Sequence, residues 1–293
     1  MAGIRRNKMT AIIDSHLHLF ELSKGKYDWL KPENPPFWPD KSIINKNFTE
    51  EDLRLVDGPK LKGFVHIEAG FDNEQPWREI EWLEETVSLP FKSIACVDLY
   101  QRPEQMTEVL NTLSQFKSVV GVRHILDDEA ASILTSEHID SHFAAIEARG
   151  LIFELQMPLT DSVAVNTMTS LLSAHPNLCI AINHSGWPPT EQSSTLDWGN
   201  WKQGLTQLSR FTNCVVKASG WEMVQREYSI NWQRLIIATL LETFGTDRVL
   251  AASNFPLCLF SHNYQSFWQQ IEEVSAEEKK ALLFNNAFRF YRF

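Results

Sequence analysis

Two histidines one residue apart, His16 and His18 in the stretch DSHLHLF, follow the apolar run Ala11, Ile12 and Ile13. Alternate side chains of a strand share a face. Both imidazoles therefore point the same way, either as metal ligands or as polar residues at a strand end. The pattern recurs: apolar runs are broken by His66 and Glu68, by Asp98, by Arg123 and His124, by Glu154 and Gln156, by Asn183 and His184, by Lys217 and Ser219, and by Ser253 and Asn254. Imidazole, carboxylate, guanidinium and ammonium groups hold divalent ions, move protons and orient polar substrates. Burying such a charge unpaired is costly, so a series of them at the ends of apolar runs implies a wet, ligand-binding centre. His138, His142, His175 and His262 fall in helical or loop segments and read as structural.

The elements that would position these residues alternate regularly. Short β-branched runs begin near residues 11, 61, 91, 118, 150, 177, 212 and 247, and each is followed by a polar turn. Helical periodicity fills 76–88, 103–116, 137–148, 160–175, 198–211 and 230–244, with one or two further helices from about 263 to the end. Pro76 and Pro103 suit first helical turns, Ser136 is placed to cap, and Asp98 could cap the helix that starts near Pro103. Eight strand–helix units in 293 residues predict a distorted (β/α)₈ TIM barrel spanning residues 1–293 as one domain. An open doubly wound sheet is the competitor, but it needs fewer units, and no GxGxxG or Walker A loop is present. In a barrel, the polar residues at strand C-termini surround the active-site mouth. The stretch 20–48 breaks the rhythm with four prolines, two tryptophans and a tyrosine. A long loop of this composition is expected to lie over the mouth and to bring Trp29 against a substrate.

Composition narrows the class. The chain is 43% hydrophobic and 22% charged with net charge −10, enough for a sizeable core and without the basic run that nucleic acid or anionic membrane would need. No apolar stretch reaches the roughly 18 residues that cross a bilayer. The opening MAGIRRNKMT lacks an apolar leader core, so a cytoplasmic protein is expected. Cys96, Cys179, Cys214 and Cys258 are far apart and read as buried reduced thiols. A homo-oligomer is compatible with the sequence, which does not fix the oligomeric state.

An N-terminal HxH, the mid-chain INHSG and the late ASNFP turn resemble the amidohydrolase superfamily, more narrowly its amidohydrolase 2 branch of sugar-lactone and pyrone-dicarboxylate lactone hydrolases. VHIEA at the second strand, GVR at the fourth and the aromatic first loop are similar as well. The resemblance covers about residues 11–291. It implies a hydrolase that attacks a small polar cyclic ester with water, and a divalent metal such as zinc held at His16 and His18 with His184. In metal-free members those histidines would polarise the carbonyl instead. Arg123 matches a substrate-carboxylate clamp; Gln156 and His66 are assigned with it to substrate binding. The family's strand-eight aspartate, the usual base, is Asn254 here, and an amide is no base. Glu68, Asp98 and Glu154 are the substitutes to consider, Glu154 and Glu68 first, beside His184 and Asn254 as catalytic positions. A decarboxylase or hydratase on the same barrel, or a non-catalytic binding barrel, is the alternative.

Overall fold

The computed structural model describes residues 10–274 and 278–293. Each β-branched run forms a strand: β1 Ala11–Leu17, β2 Lys60–Ile67, β3 Phe91–Cys96, β4 Val119–Ile125, β5 Ile152–Gln156, β6 Cys179–Ile182, β7 Cys214–Ala218 and β8 Val249–Ala251. All pair in parallel, in sequence order. After β8 the backbone of Asn254 donates to His16 O at 2.8 Å and that of His18 to Phe255 O at 2.6 Å, so the sheet closes on β1 beside the two histidines. The fold is the expected (β/α)₈ barrel.

Helices run over Trp77–Thr86, Pro103–Leu113, Ile139–Ala148, Ser162–Ala174, Thr195–Ser209, Ile230–Phe244, Tyr264–Val274 and Asn286–Phe290, within a few residues of their expected spans. Two capping expectations fail. His138, not Ser136, precedes the helix Ile139–Ala148, and Asp98 accepts from the Tyr100 N–H in a turn instead of capping. No described helix is long and apolar enough to cross a membrane. The four cysteines are unpaired; Cys214 and Cys258 are buried, but Cys96 and Cys179 only partly so.

The barrel interior is apolar at its base, where Ile13, Val65, Ile67, Ile94, Ile152, Val215 and Leu250 converge on Tyr291 from the C-terminal segment. Polar side chains begin one layer higher. Strand parity alone would turn His16 away, since Ile13 faces inward. A β-bulge corrects this: Asp14 pairs with Phe64 but Leu17 with His66, so β1 gains one residue between them. Bulges of this kind re-aim side chains near active sites. Stretch 20–48 folds over the mouth, pinned by a Phe20–Phe48 bridge, by Trp29 Nε1 donating to Ala69 O at 2.7 Å, and by the buried Lys41, whose ammonium donates to Asn34 O at 2.7 Å.

Candidate active site

His16, His18 and His184 meet at the C-terminal end of the barrel, with the His16 ring centroid 5.2 Å from that of His18 and 4.6 Å from that of His184. Burial is the main cause that holds all three far below the ordinary histidine range, so they are neutral at pH 7. Their partners then fix which nitrogen carries the proton. His18 Nδ1 lies 2.8 Å from Ile67 O, which can only accept, so Nδ1 bears the hydrogen and Nε2 keeps a lone pair. For His16 the logic runs the other way. Its Nδ1 lies 3.2 Å from Lys217 Nζ, an ammonium that can only donate, so the hydrogen sits on Nε2. That Nε2 is buried and has no protein partner among the described residues.

His184 comes from the turn after β6, where its φ of 50° is in the left-handed region, as is the 57° of Asn254 after β8. Such backbone is held only when its surroundings enforce it. Trp201 Nε1 donates to Ser185 O at 2.9 Å, and Gly220 leaves room on the other side. A Cβ at Gly220 would lie 2.3 Å from the His184 ring, and its φ of 71° also favours glycine.

Asn254 donates from Nδ2 to Glu222 Oε1 at 2.6 Å, which turns the amide oxygen away from Glu222. The amide side chain faces His18, favours its protonated form, and so opposes the downward shift there. Glu222 itself is buried, and burial, opposed by the Asn254 bond, pushes its carboxyl up to about 7. The sequence reading missed Glu222. It sits on a four-residue helix, Trp221–Val224, too short to leave a periodic signal.

Beneath the histidines runs a buried column. Lys217 Nζ lies 2.6 Å from Glu154 Oε2, and Tyr291 donates to Glu154 Oε1 at 2.7 Å. Glu154 thus faces inward as expected but one layer below the mouth; it does not border the pocket, and its carboxylate is committed to Lys217 and Tyr291. His66 is a second correction to the expected substrate set. Its Nε2 lies 3.0 Å from Glu79 Oε1 on the helix Trp77–Thr86, and its Nδ1 accepts from the Leu19 N–H. Strand parity sends His66 outward into the helix layer, while Glu68, one residue past the strand end, turns to the mouth.

The mouth is a pocket of about 580 Å³ bordered by His18, His184, Asn254, Glu68, Arg123, Gln156 and Asp127. Trp29, Trp38, Trp187, Met223 and Leu257 form much of its apolar wall. Arg123 is the only Lys or Arg among its described lining residues. It is not free to clamp a carboxylate: Nε donates to Glu68 Oε1 at 2.8 Å, Nη2 to Glu68 O at 2.9 Å, and Nη1 to Gln156 Oε1 at 2.7 Å. Gln156 in turn donates to Asp127 Oδ1 at 3.2 Å.

These donors do not suit a divalent ion. Among the described residues no three His, Cys, Asp or Glu side chains are arranged to hold one. The His16 nitrogen facing away from Lys217 carries a hydrogen, an ammonium stands beside the cluster, and strand eight offers a neutral amide where a carboxylate would balance charge.

Comparison with known proteins agrees with the fold. The chain is 27% identical to the uncharacterized protein y4mH of Sinorhizobium fredii, covering 96% of this chain and 98% of that one. It is 24% identical to the L-rhamnono-gamma-lactonase of Scheffersomyces stipitis over 96% and 98% of the two chains. A Burkholderia multivorans amidohydrolase solved with bound zinc superposes with a TM-score of 0.77 at 17% identity, covering 97% of this chain and all of the other. Residues 13–293 match the amidohydrolase family, and with the barrel and the strand-end histidines in place, the chain belongs to that family of enzymes.

Proposed function

We propose that this enzyme hydrolyses an uncharged lactone, a small polyhydroxylated cyclic ester, without a metal ion. The observation that carries the hydrolytic reading is the pairing of two acceptors at the pocket: His18, whose Nδ1 contact to Ile67 O leaves the lone pair on Nε2, and the amide side chain of Asn254 beside it. Water placed between them donates one hydrogen to each and aims a lone pair at the ester carbonyl. His18 takes the proton as the attack proceeds, and its imidazolium then protonates the departing ring oxygen. His16 Nε2–H is the donor for the carbonyl oxygen as negative charge gathers there. His184 holds His16 by ring contact and walls the pocket.

The uncharged character rests on Arg123. Its guanidinium is neutralised by Glu68 and held by Glu68 and Gln156, while Asp127 adds a further carboxylate. A carboxylated lactone would meet that surface without a free cation. The tryptophans suit the C–H face of a sugar-like ring instead, and the resemblance to a sugar-acid lactonase supports this class.

The test is a proton-release assay across uncharged aldonolactones and carboxylated lactones, with and without chelator, beside carbon dioxide release from carboxylated aromatics. Turnover confined to uncharged lactones and unaffected by chelator is the expected result. Carbon dioxide release without lactone turnover would overturn the reading.

A further inference from the structure

We infer that Lys217 is a resident cation that stands in for a divalent metal at the histidine cluster and keeps one from binding. Its ammonium lies 3.2 Å from His16 Nδ1 and 2.6 Å from Glu154 Oε2, and all three side chains are fully buried. It approaches from inside the barrel, on β7, between the cluster and the base of the molecule. Glu154 is held from below by the Tyr291 hydroxyl, and the Lys217 ammonium also lies 5.4 Å from the Tyr291 ring centroid. The column therefore delivers one positive charge to His16 and balances it with one carboxylate beneath.

Three consequences follow from that placement. A divalent ion among the histidines would face like charge at close range in a medium that screens poorly. His16 cannot offer an Nε2 lone pair without giving up its Lys217 hydrogen bond. Asn254, beside His18, and Ser219, whose hydroxyl lies 3.3 Å from His184 Nδ1, are neutral and add no negative charge to offset an ion. What a metal would contribute, polarisation of the ester carbonyl, is here supplied through His16 as a hydrogen-bond donor oriented by Lys217. Lys217 is accordingly a positioning residue.

The inference uses the proposed reaction only to place the reacting carbonyl near His16. Its test needs no substrate, so failure of lactone turnover and failure of metal exclusion are separately visible. Cobalt(II) and zinc are titrated into full-length protein purified without chelator, read by calorimetry and by the visible cobalt spectrum, with metal content by mass spectrometry. The parent should carry no stoichiometric metal. Asn254→Asp alone should bind weakly, and Asn254→Asp with Lys217→Met should bind one equivalent about 100-fold more tightly, with a cobalt spectrum of nitrogen and oxygen ligation. Because Lys217→Met leaves Glu154 buried and uncompensated, the same titration is run on Asn254→Asp with Lys217→Met and Glu154→Gln, which removes the charge pair together. One equivalent of metal on the parent's histidines overturns the inference. So does equal affinity in Asn254→Asp and the folded triple variant.

Discussion

Lys217 Nζ and His16 Nδ1 lie 3.2 Å apart inside the barrel, and the direction of that hydrogen bond decides what His16 can do. Because the ammonium donates, His16 carries its hydrogen on Nε2, which is buried beside the His18 and His184 rings and has no partner among the described residues. His16→Ala should lower kcat about 100- to 1000-fold, the cost of losing one donor to a developing oxyanion, with KM little changed. His16→Gln, whose amide nitrogen reaches the Nε2 position, should recover part of that loss. Steady-state kinetics on an uncharged lactone decide it; an unchanged kcat in His16→Ala would remove the residue from the reaction.

Glu222 and Asn254 yield a pH profile. Glu222 titrates near 7 in the folded protein, surrounded by Arg226, Tyr228 and Cys258 as well as Asn254. Its carboxylate, present above that pH, fixes the Asn254 amide and supports the imidazolium that forms on His18; protonation below it withdraws that support. The kcat should therefore fall as pH drops through about 7. Glu222→Gln keeps an acceptor for Asn254 but no charge, and should show kcat lowered about tenfold, a loss of about 1.4 kcal/mol, with the acid limb absent. A limb that persists in Glu222→Gln assigns it to another group.

Glu68 controls what Arg123 can recognise. The two are 55 residues apart in sequence, yet their side chains pair within 2.8 Å. Glu68→Gln removes the charge that neutralises the guanidinium. Carboxylated lactones should then bind at least about tenfold more tightly, seen as a lower KM or Ki, since a freed bidentate cation contributes about 1.4 kcal/mol or more. If the parent already binds carboxylated lactones as well as uncharged ones, the pocket is not selective in this way.

How much of this was legible in the sequence follows from what each signal is made of. β-Branched runs at regular spacing announced eight strands, and the polar break at the end of each located the mouth, because both are local patterns. His16, His18 and His184 needed only those patterns, and the structure brings them together. Arg123 was placed correctly at the mouth but read as a free clamp, since a salt bridge to Glu68 is a tertiary fact. Glu154 had the right face and the wrong depth: alternation fixes direction, whereas the layer depends on Tyr291 rising from the chain's end. His66 failed because its strand stops one residue later, at Ile67, and alternation does not carry past a strand end to Glu68. Glu222 left no periodic trace. Its only cue was its place shortly after β7, among the residues that rim a barrel.

His66 and Glu79 give a stability prediction separate from catalysis. His66 Nδ1 accepts the Leu19 N–H, so its Nε2 hydrogen goes to Glu79 Oε1 at 3.0 Å. Burial lowers His66 to about 3 and raises Glu79 to about 8, so near neutrality the pair is an uncharged imidazole and a protonated acid. A carboxyl with a raised folded pKa contributes stability that is fully present below its unfolded value. That contribution is lost as pH rises through the folded one. The Tm of the parent should therefore decline between about pH 4.5 and 8 relative to Glu79→Gln, whose amide oxygen keeps the His66 bond and does not ionise. The difference between the two melting temperatures should change by something on the order of 5 °C across that window, with the variant gaining as pH rises. Thermal unfolding followed by circular dichroism at several pH values measures it, and parallel curves for the two proteins would mean that Glu79 ionises freely where it lies.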